Sequence, residues 1–595
     1  ASSQRRFQGV ITGFSQIDSA RDVTTYELVL ESHLAQLGLG SHCRLFIDQG
    51  IPDIIAQVLD DKGFTSDTHY YRFTLYRSYP RLPTVMQWQE SDLAFIQRLC
   101  RRCGIWFRMA EGEFGEQIVF ADDFTHYQRQ PALSAPFKAH AGLESIGAEA
   151  VFALETHTKT IPASVFVRDY NRLAAPACID EEHALRTQDR TAFGQVYRWG
   201  SLHLDAEQAE WEAQLRHEAL LCEQVVYHGR GNVLGLAPGS VFNLSGKSLP
   251  DAEHGQLITR VEHAGARDAA YTNRYTAIPS DRLYRLPLEE DNWPRIGGTV
   301  SARIVSPDRY PYAYLNQDGD YRVQFDFDRE ERQSGHSSCW LRLAKPFAGA
   351  LQTGFHFPLI EGTEVAIAFH NGHPDAPYIA HALHDSHNSD LITHRDRWMS
   401  RNEIRTQSNN KLRLEDWQGQ EHIKLATEHG KSQLNLGHLV NASKEPRGEG
   451  LELRTDGWGS VRAGKGLLLS ADAQPKALGK QLDMREANAQ LNAALNLSQA
   501  LADATKAAQA HIAEVSEQKQ LLDQRIKELK QAVLLASAPA GMALTSGQHL
   551  QVSAQNNLIV TAGGHADISV FRKFTIAAGE AISLCAHKLG MKLFA

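Results

Sequence analysis

The sequence predicts a mainly β chain of several domains: a mixed α+β first half, a small closed barrel after it, and a final β-prism or β-helix interrupted by a helical insertion. Three observations predict it. Short alternating strands with few helices fill residues 1 to about 285. Strand-sized apolar runs between Gly and Pro turns fill about 293 to 384. After about residue 400, very short strands recur roughly every nine residues, broken once by a stretch without Gly or Pro from Lys480 to Ala538.

A length of 595 residues excludes a single small domain. Lys and Arg number 61 against 70 Asp and Glu, and the net charge of -9 is spread along the chain. Nucleic acid is therefore not expected as a partner, since phosphate binding needs a concentrated basic surface. Seven irregularly spaced cysteines are too few for a disulfide scaffold and fit a reducing compartment. No apolar run approaches the roughly 20 residues that span a bilayer, and no charged-then-apolar leader is visible. The chain opens in a strand-like run, Phe7 to Phe14, and closes in apolar alternation from Met591 to Ala595; both ends are expected to be trimmed.

In the first part, Pro52 at a first turn followed by Ile54, Ile55, Val58 and Leu59 predicts a helix stopped by Gly63. Ser91 or Asp92 caps a second helix to about Cys103, with Leu93, Phe95, Ile96 and Leu99 inward and Gly104 just past the end. The next part reads as an OB-type barrel with strands at 300–305, 321–327, 338–343 and 364–369 and a tight turn at 316–320.

The short strands that follow are expected at 411–415, 422–425, 433–436, 451–454 and 466–470, then at 550–552, 557–560, 567–570, 574–576 and 581–584. Each buries too little surface to hold itself, so neighbouring turns or chains must cover its edges. Closure by threefold symmetry would remove the open edges of a lone chain, which predicts a homotrimer with Leu412, Leu414, Leu434, Leu436, Leu453 and Leu468 facing the shared axis.

The Ala-, Leu- and Glu-rich segment between 480 and 538 places Leu491, Ile512, Ile526 and Val533 in one heptad position and Leu501, Val515, Leu522 and Leu529 in another. A single helix would carry the chain about 80 Å away, yet the short repeat resumes. A helical hairpin reversing between Ala502 and Gln509 is therefore predicted. Its Leu491, Leu501, Ile512, Val515, Leu522 and Ile526 form a candidate platform for a partner, against the plainer reading of a helical spacer.

Chemistry-bearing patterns are sparse. Cys100-Arg101-Arg102-Cys103 is a CxxC with arginines that lower a thiol pKa, but it ends a helix and lacks a βαβ context, so buried thiols are expected. Cys43, Cys178, Cys222, Cys339 and Cys585 have no zinc spacing. His370, His373, His381, His384 and His387 crowd the barrel exit, where strand alternation keeps them from converging within one chain; around a threefold axis, one per chain would suffice for an ion. Asp326, Asp328 and Glu330 sit on a strand and its turn, where carboxylates ordinarily face solvent. No HExxH, GxSxG, Walker A or GxGxxG stretch lies in a fitting context. No catalytic residue, metal ligand or cofactor is assigned.

These residues resemble the VgrG spike proteins of bacterial type VI secretion, themselves similar to the hub and spike proteins of contractile phage tails. The resemblance spans essentially the whole chain. It rests on Arg44-Leu45-Phe46 with Ile51-Pro52-Asp53-Ile54-Ile55, on Gln87-Trp88-Gln89-Glu90-Ser91-Asp92, and on Leu236-Ala237-Pro238-Gly239. In the barrel it rests on Tyr321-Arg322-Val323-Gln324-Phe325, Ser338-Cys339-Trp340-Leu341-Arg342 and Gly362-Thr363-Glu364-Val365. Two departures stand out: the beginning of the family's first barrel is missing, and its Gly-Asp-Pro-Asp turn reads Gly372-His373-Pro374-Asp375.

The resemblance implies five spans: a phage-hub-like domain of β-barrels at 1–287, an OB-fold collar at 290–388, a β-prism at 389–476, the helical insertion at 477–538, and the prism continued at 539–595. It further implies a homotrimeric puncturing spike with no enzymatic activity. Its hub would cap the Hcp tube hexamer, and its far end would carry a PAAR-type tip and an effector. Such a spike is assembled in the bacterial cytoplasm, then injected, and pierces a membrane only transiently. The competing readings are a prophage tail hub and a β-helical enzyme or toxin-bearing spike.

Overall fold

The computed structural model describes residues 6–594 except 66–69, 113–114, 140–147, 185–190, 201, 204, 309 and 397. The chain divides into two compact units, Ala1–Asp390 and Leu391–Ala595.

In the first unit, the antiparallel hairpin Val10–Ser19 and Thr24–Glu31 is followed by the pair His42–Gly50 and Arg81–Glu90. Helix α1, Ile51–Asp60, starts with Pro in its first turn and buries Ile51, Ile54, Ile55, Val58 and Leu59. Helix α2, Asp92–Cys103, begins where the Ser91 hydroxyl accepts the Ala94 N–H at 3.2 Å. It ends at Gly104, whose φ of 72° closes the last turn toward Cys100 and Arg101. Both helices share one core with Phe46, Val85, Ile105 and Phe120.

A six-stranded sheet runs in the order Gln128–Pro136, Ser240–Ser245, Gln256–Ala264, Thr272–Pro279, Val225–Gly231, Val151–Thr158. A bridge from Phe137 to Val151 joins its two edges, so the sheet closes into a barrel around Tyr227, Phe242, Ile258 and Tyr275. Gly229 is required there: a Cβ would lie 2.1 Å from the Tyr275 ring. Helix α3, Ala206–Gln224, is capped by Asp205, which accepts the Gln208 N–H at 2.9 Å, and packs on the small sheet of Ser164–Tyr170, Cys178–Ala184 and Gln195–Trp199.

The OB-type sheet pairs Arg322–Phe325, Val300–Val305, Glu364–Phe369 and Pro377–Leu383 in that order. The strand expected at 338–343 is reduced to two isolated bridges, Tyr321 with Leu341 and Leu343 with Ile379. The cause is local: the Ser338 hydroxyl accepts the Val323 N–H at 2.8 Å, taking a bond that a strand carbonyl would otherwise take. Leu45 and Met86 insert into this barrel's core beside Ile304, Val323 and Phe325.

The second unit holds a five-stranded antiparallel meander, Asn402–Arg405, Lys411–Glu415, His422–Ala426, Gln433–Val440 and Pro446–Arg454. A parallel pair follows, Leu467–Ser470 with Leu534–Ser537. Between these two strands lie α4, Arg485–Ala507, and the short α5, Val515–Leu521, which runs into a wider turn at Leu522–Ile526. The reversal thus falls at 508–514, later than the expected 502–509, because the Ala-rich end of α4 sustains helix to Ala507. The strand Leu534–Ser537 lies inside the span expected to be helical. Among the described residues, 539–594 form no strand, and the expected runs at 550–552, 557–560, 567–570, 574–576 and 581–584 pair with no other strand of the chain. Alternation fixes which side chains share a face; ladder bonds need a second strand alongside.

Candidate assembly interface

The meander sorts its residues by the period of two. Ile404, Leu412, Leu425, Leu434 and Leu453 stand opposite one another in successive strands, and Leu414, Ile423, Leu436 and Leu451 form a second row beside them. Both rows lie on one face, and that face is open: Leu425 is 55% and Leu453 72% exposed. Between the rows, on the opposite face, run Glu403, Arg413, Lys424, Asn435 and Glu452.

This charged face is the covered one. The side chains of Glu403 and Glu415 are fully buried. Glu403 accepts from Arg413 at 2.8 Å and from Arg405 at 2.7 Å, and Glu415 from Arg401 at 3.2 Å. Asn435 donates to Glu452 at 2.9 Å. Trp398 is buried against His422 on this side, with the Arg401 guanidinium 4.9 Å from its ring centre. Burial pushes the Glu403 carboxyl up, but the bonds from Arg413 and Arg405 prevail and hold it below its ordinary range. Burial, then repulsion from Arg413, lowers Lys411 and Lys424. A sheet with its ions covered and its leucines open is inverted relative to a soluble one.

Of the leucines expected at a shared axis, Leu412, Leu414, Leu434, Leu436 and Leu453 come together on the open face, whereas Leu468 belongs to the separate pair with Leu534–Ser537. Ile404, Ile423, Leu425 and Leu451 share that face and were not among the expected residues; the same alternation, extended one strand outward and read on both sides of each pair, would have found them. In the helical insertion, Leu522 is buried and Leu491, Val515 and Ile526 are half-buried, while Leu501 and Ile512 are exposed. The arms are unequal, so the heptad register of one has no full-length counterpart in the other. From Leu550 to Leu593, the large apolar residues, among them Leu558, Ile568, Phe574, Ile582 and Leu584, are exposed.

The chemistry-bearing patterns settle into structural roles. Burial, then the neighbouring Cys103, pushes the Cys100 thiol above its ordinary range. Burial also outweighs Arg102 and Arg77 and raises Cys103 to about 12. Asp328 accepts from Arg332 at 3.0 Å, and Glu330 lies 2.9 Å from the same guanidinium. In the Gly372-His373-Pro374-Asp375 turn, the Asp375 carboxylate accepts from the Met86 N–H and from Arg102, each at 2.6 Å, tying α2 and its preceding strand to the OB sheet. His373 accepts the Asp375 N–H at 3.1 Å and packs edge-on to Trp293; burial, partly offset by Asp375, pushes its imidazole down to about 4. His381, His384 and His387 are exposed, and among the described residues no three His, Cys, Asp or Glu side chains are grouped to hold a metal.

Four family models match the chain in order: phage tail baseplate hub (GPD) over residues 1–269, the type VI secretion system/phage-baseplate injector OB domain over 314–384, the putative type VI secretion system Rhs element Vgr over 402–505, and an uncharacterized protein conserved in bacteria over 522–595. The chain is similar to the type VI secretion system spike protein VgrG2b of Pseudomonas aeruginosa, with 28% identity covering 93% of this chain and 57% of the relative. It is also similar to VgrG2a of the same organism, with 29% identity covering 84% and 61%. The chain thus spans about three fifths of the length of these relatives. Among solved structures, the E. coli c3393 protein, a component of the type VI secretion system, matches at 29% identity and TM-score 0.46 over 64% of this chain and 84% of that one. A VgrG spike bound to the Tle1 effector matches at 47% identity and TM-score 0.32 over 33% of this chain and 61% of that one.

Proposed function

We propose a mechanical function for this chain, which belongs to the VgrG family of type VI secretion spike proteins: three copies join as a puncturing spike that delivers cargo, with no reaction catalysed. The observation that carries this is the open aliphatic face of the meander. Nine side chains in two rows are too large an apolar surface to leave in water, and each is worth about 1.5–3 kcal/mol when fully buried. Association about a threefold axis covers that face in every copy at once and gives the exposed run after Ser537 neighbouring strands to pair with.

In this reading, residues 1–287 cap a hexameric tube of the Hcp kind, residues 290–388 form the collar, and residues 389–476 with 539–595 form the prism. The insertion at 477–538 serves as a platform for a PAAR-type tip and an effector. Spike subunits are assembled in the cytoplasm and leave it with the cargo. A secretion role is favoured over a prophage tail hub because the relatives matched over most of the chain are secretion spikes, while the phage names attach to the hub and OB models.

Light scattering of the intact chain tests the reading: a mass of three copies is expected, and a stable monomer with the leucine rows still open would overturn it.

A further inference from the structure

The run after Ser537 has one conspicuous anchor. From Pro539 to Phe594, Thr561 is the single residue that is not exposed. Its hydroxyl lies 3.2 Å from that of Ser498 on α4, and four residues earlier the Asn557 side-chain amide donates to Glu517 on α5. An extended segment of that length covers about 13 Å, so one short stretch meets both helical arms. The arms are themselves fixed at their base, because the strands that flank the insertion, Leu467–Ser470 and Leu534–Ser537, pair in parallel with each other.

The stretch needs such an anchor. The apolar runs around Leu550, Leu558, Ile568, Ile576 and Ile582 are short and alike. Strands of this kind slip easily, since a shift of two residues leaves the same side chains on the same face. Hydrogen bonds are directional and do not tolerate that shift. A two-residue slip would offer Ile559 and Gly563, or Gln555 and Ile559, where Asn557 and Thr561 now sit, and neither pair restores both bonds.

We infer that the helical insertion is an assembly jig: its two arms hold residues Asn557–Thr561 of their own chain, so that the C-terminal run meets the other copies in one register. The role rests on the trimeric reading and adds to the platform role.

A cross-link and a kinetic measurement test it on the full chain. With the exposed Cys178 and Cys585 changed to Ser, Ser498→Cys with Thr561→Cys should oxidise to a bond within one chain. Two differently tagged copies, mixed and refolded together, then give no cross-linked heterodimers. Heterodimers, or no bond in the assembled trimer, would overturn the inference. Separately, Asn557→Ala with Thr561→Val removes both anchoring bonds and leaves the apolar alternation intact. Its trimer is expected to form about tenfold more slowly after dilution from denaturant, the scale of one to two lost hydrogen bonds; an unchanged rate counts against the jig. Should the parent chain itself stay monomeric in the same measurement, the trimeric reading falls instead. Should the double variant not fold, the cross-link result decides.

Discussion

The six-stranded barrel of the first unit and the five-stranded meander of the second use the same alternation of apolar and polar residues and turn it in opposite directions. In the six-stranded barrel, Tyr227, Phe242, Ile258 and Tyr275 point inward and the sheet closes on itself through Phe137 and Val151. In the meander, the leucines point out and Glu403, Arg413 and Glu415 are covered. The first is a finished core. The second leaves an apolar face open within its own chain, and under the trimeric reading its stability, unlike that of the barrel, depends on protomer concentration.

The largest break in that contrast is expected from Leu434→Asp with Leu436→Asp. Each carboxylate would be desolvated without a partner on assembly. Gel filtration should show loss of the trimer, while circular dichroism of the first unit, whose core contains neither residue, stays as in the parent. A smaller effect comes from the covered side. Glu415→Ala leaves Arg401 buried without its carboxylate and should cost the second unit about 3 kcal/mol, read by denaturant unfolding of the assembled protein.

The smallest effect sharpens the comparison through pH. His373 has a folded pKa of about 4 against an ordinary 6.5, so the unfolded chain takes up its proton first as pH falls. Its contribution to stability is complete above pH 6.5 and is lost between 6.5 and about 4. The carboxylate of Asp375 is held below its ordinary 3.8, so its contribution is lost only at still lower pH. His373→Asn should flatten the first window by about 2 kcal/mol in the OB barrel and leave the trimer interface untouched, as thermal melts across that range would show.

The sequence carried local signals faithfully and long-range ones partly. Pro52, Ser91 and Gly104 marked α1 and α2 because caps and first turns depend on a few adjacent residues. Helix α3 escaped because its buried side carries Glu212, Arg216, His217 and Glu218, which pair with partners such as Glu290 and Arg285 far along the chain. A helix of that composition reads as polar all round. The leucine face was legible from alternation, but alternation does not say which strands share a sheet, and so Leu468 was grouped with residues it does not accompany. The hairpin was legible from the need to return; the unequal arms were not, since the heptad pattern continues past the point where α5 ends.

The parallel pair of Leu467–Ser470 and Leu534–Ser537 makes the insertion a socket. The strands before and after the intervening segment are paired with each other, so its length is nearly decoupled from the sheet that holds it: doubling a closed loop costs only about 0.6 kcal/mol. Apart from its buried Met484, Ala487, Ala502, Leu522 and Leu529 and the places where it meets Asn557 and Thr561, that segment can lengthen, shorten or exchange its outer surface. The strand pair thereby acquires a position where new sequence can be fitted without recutting the sheet.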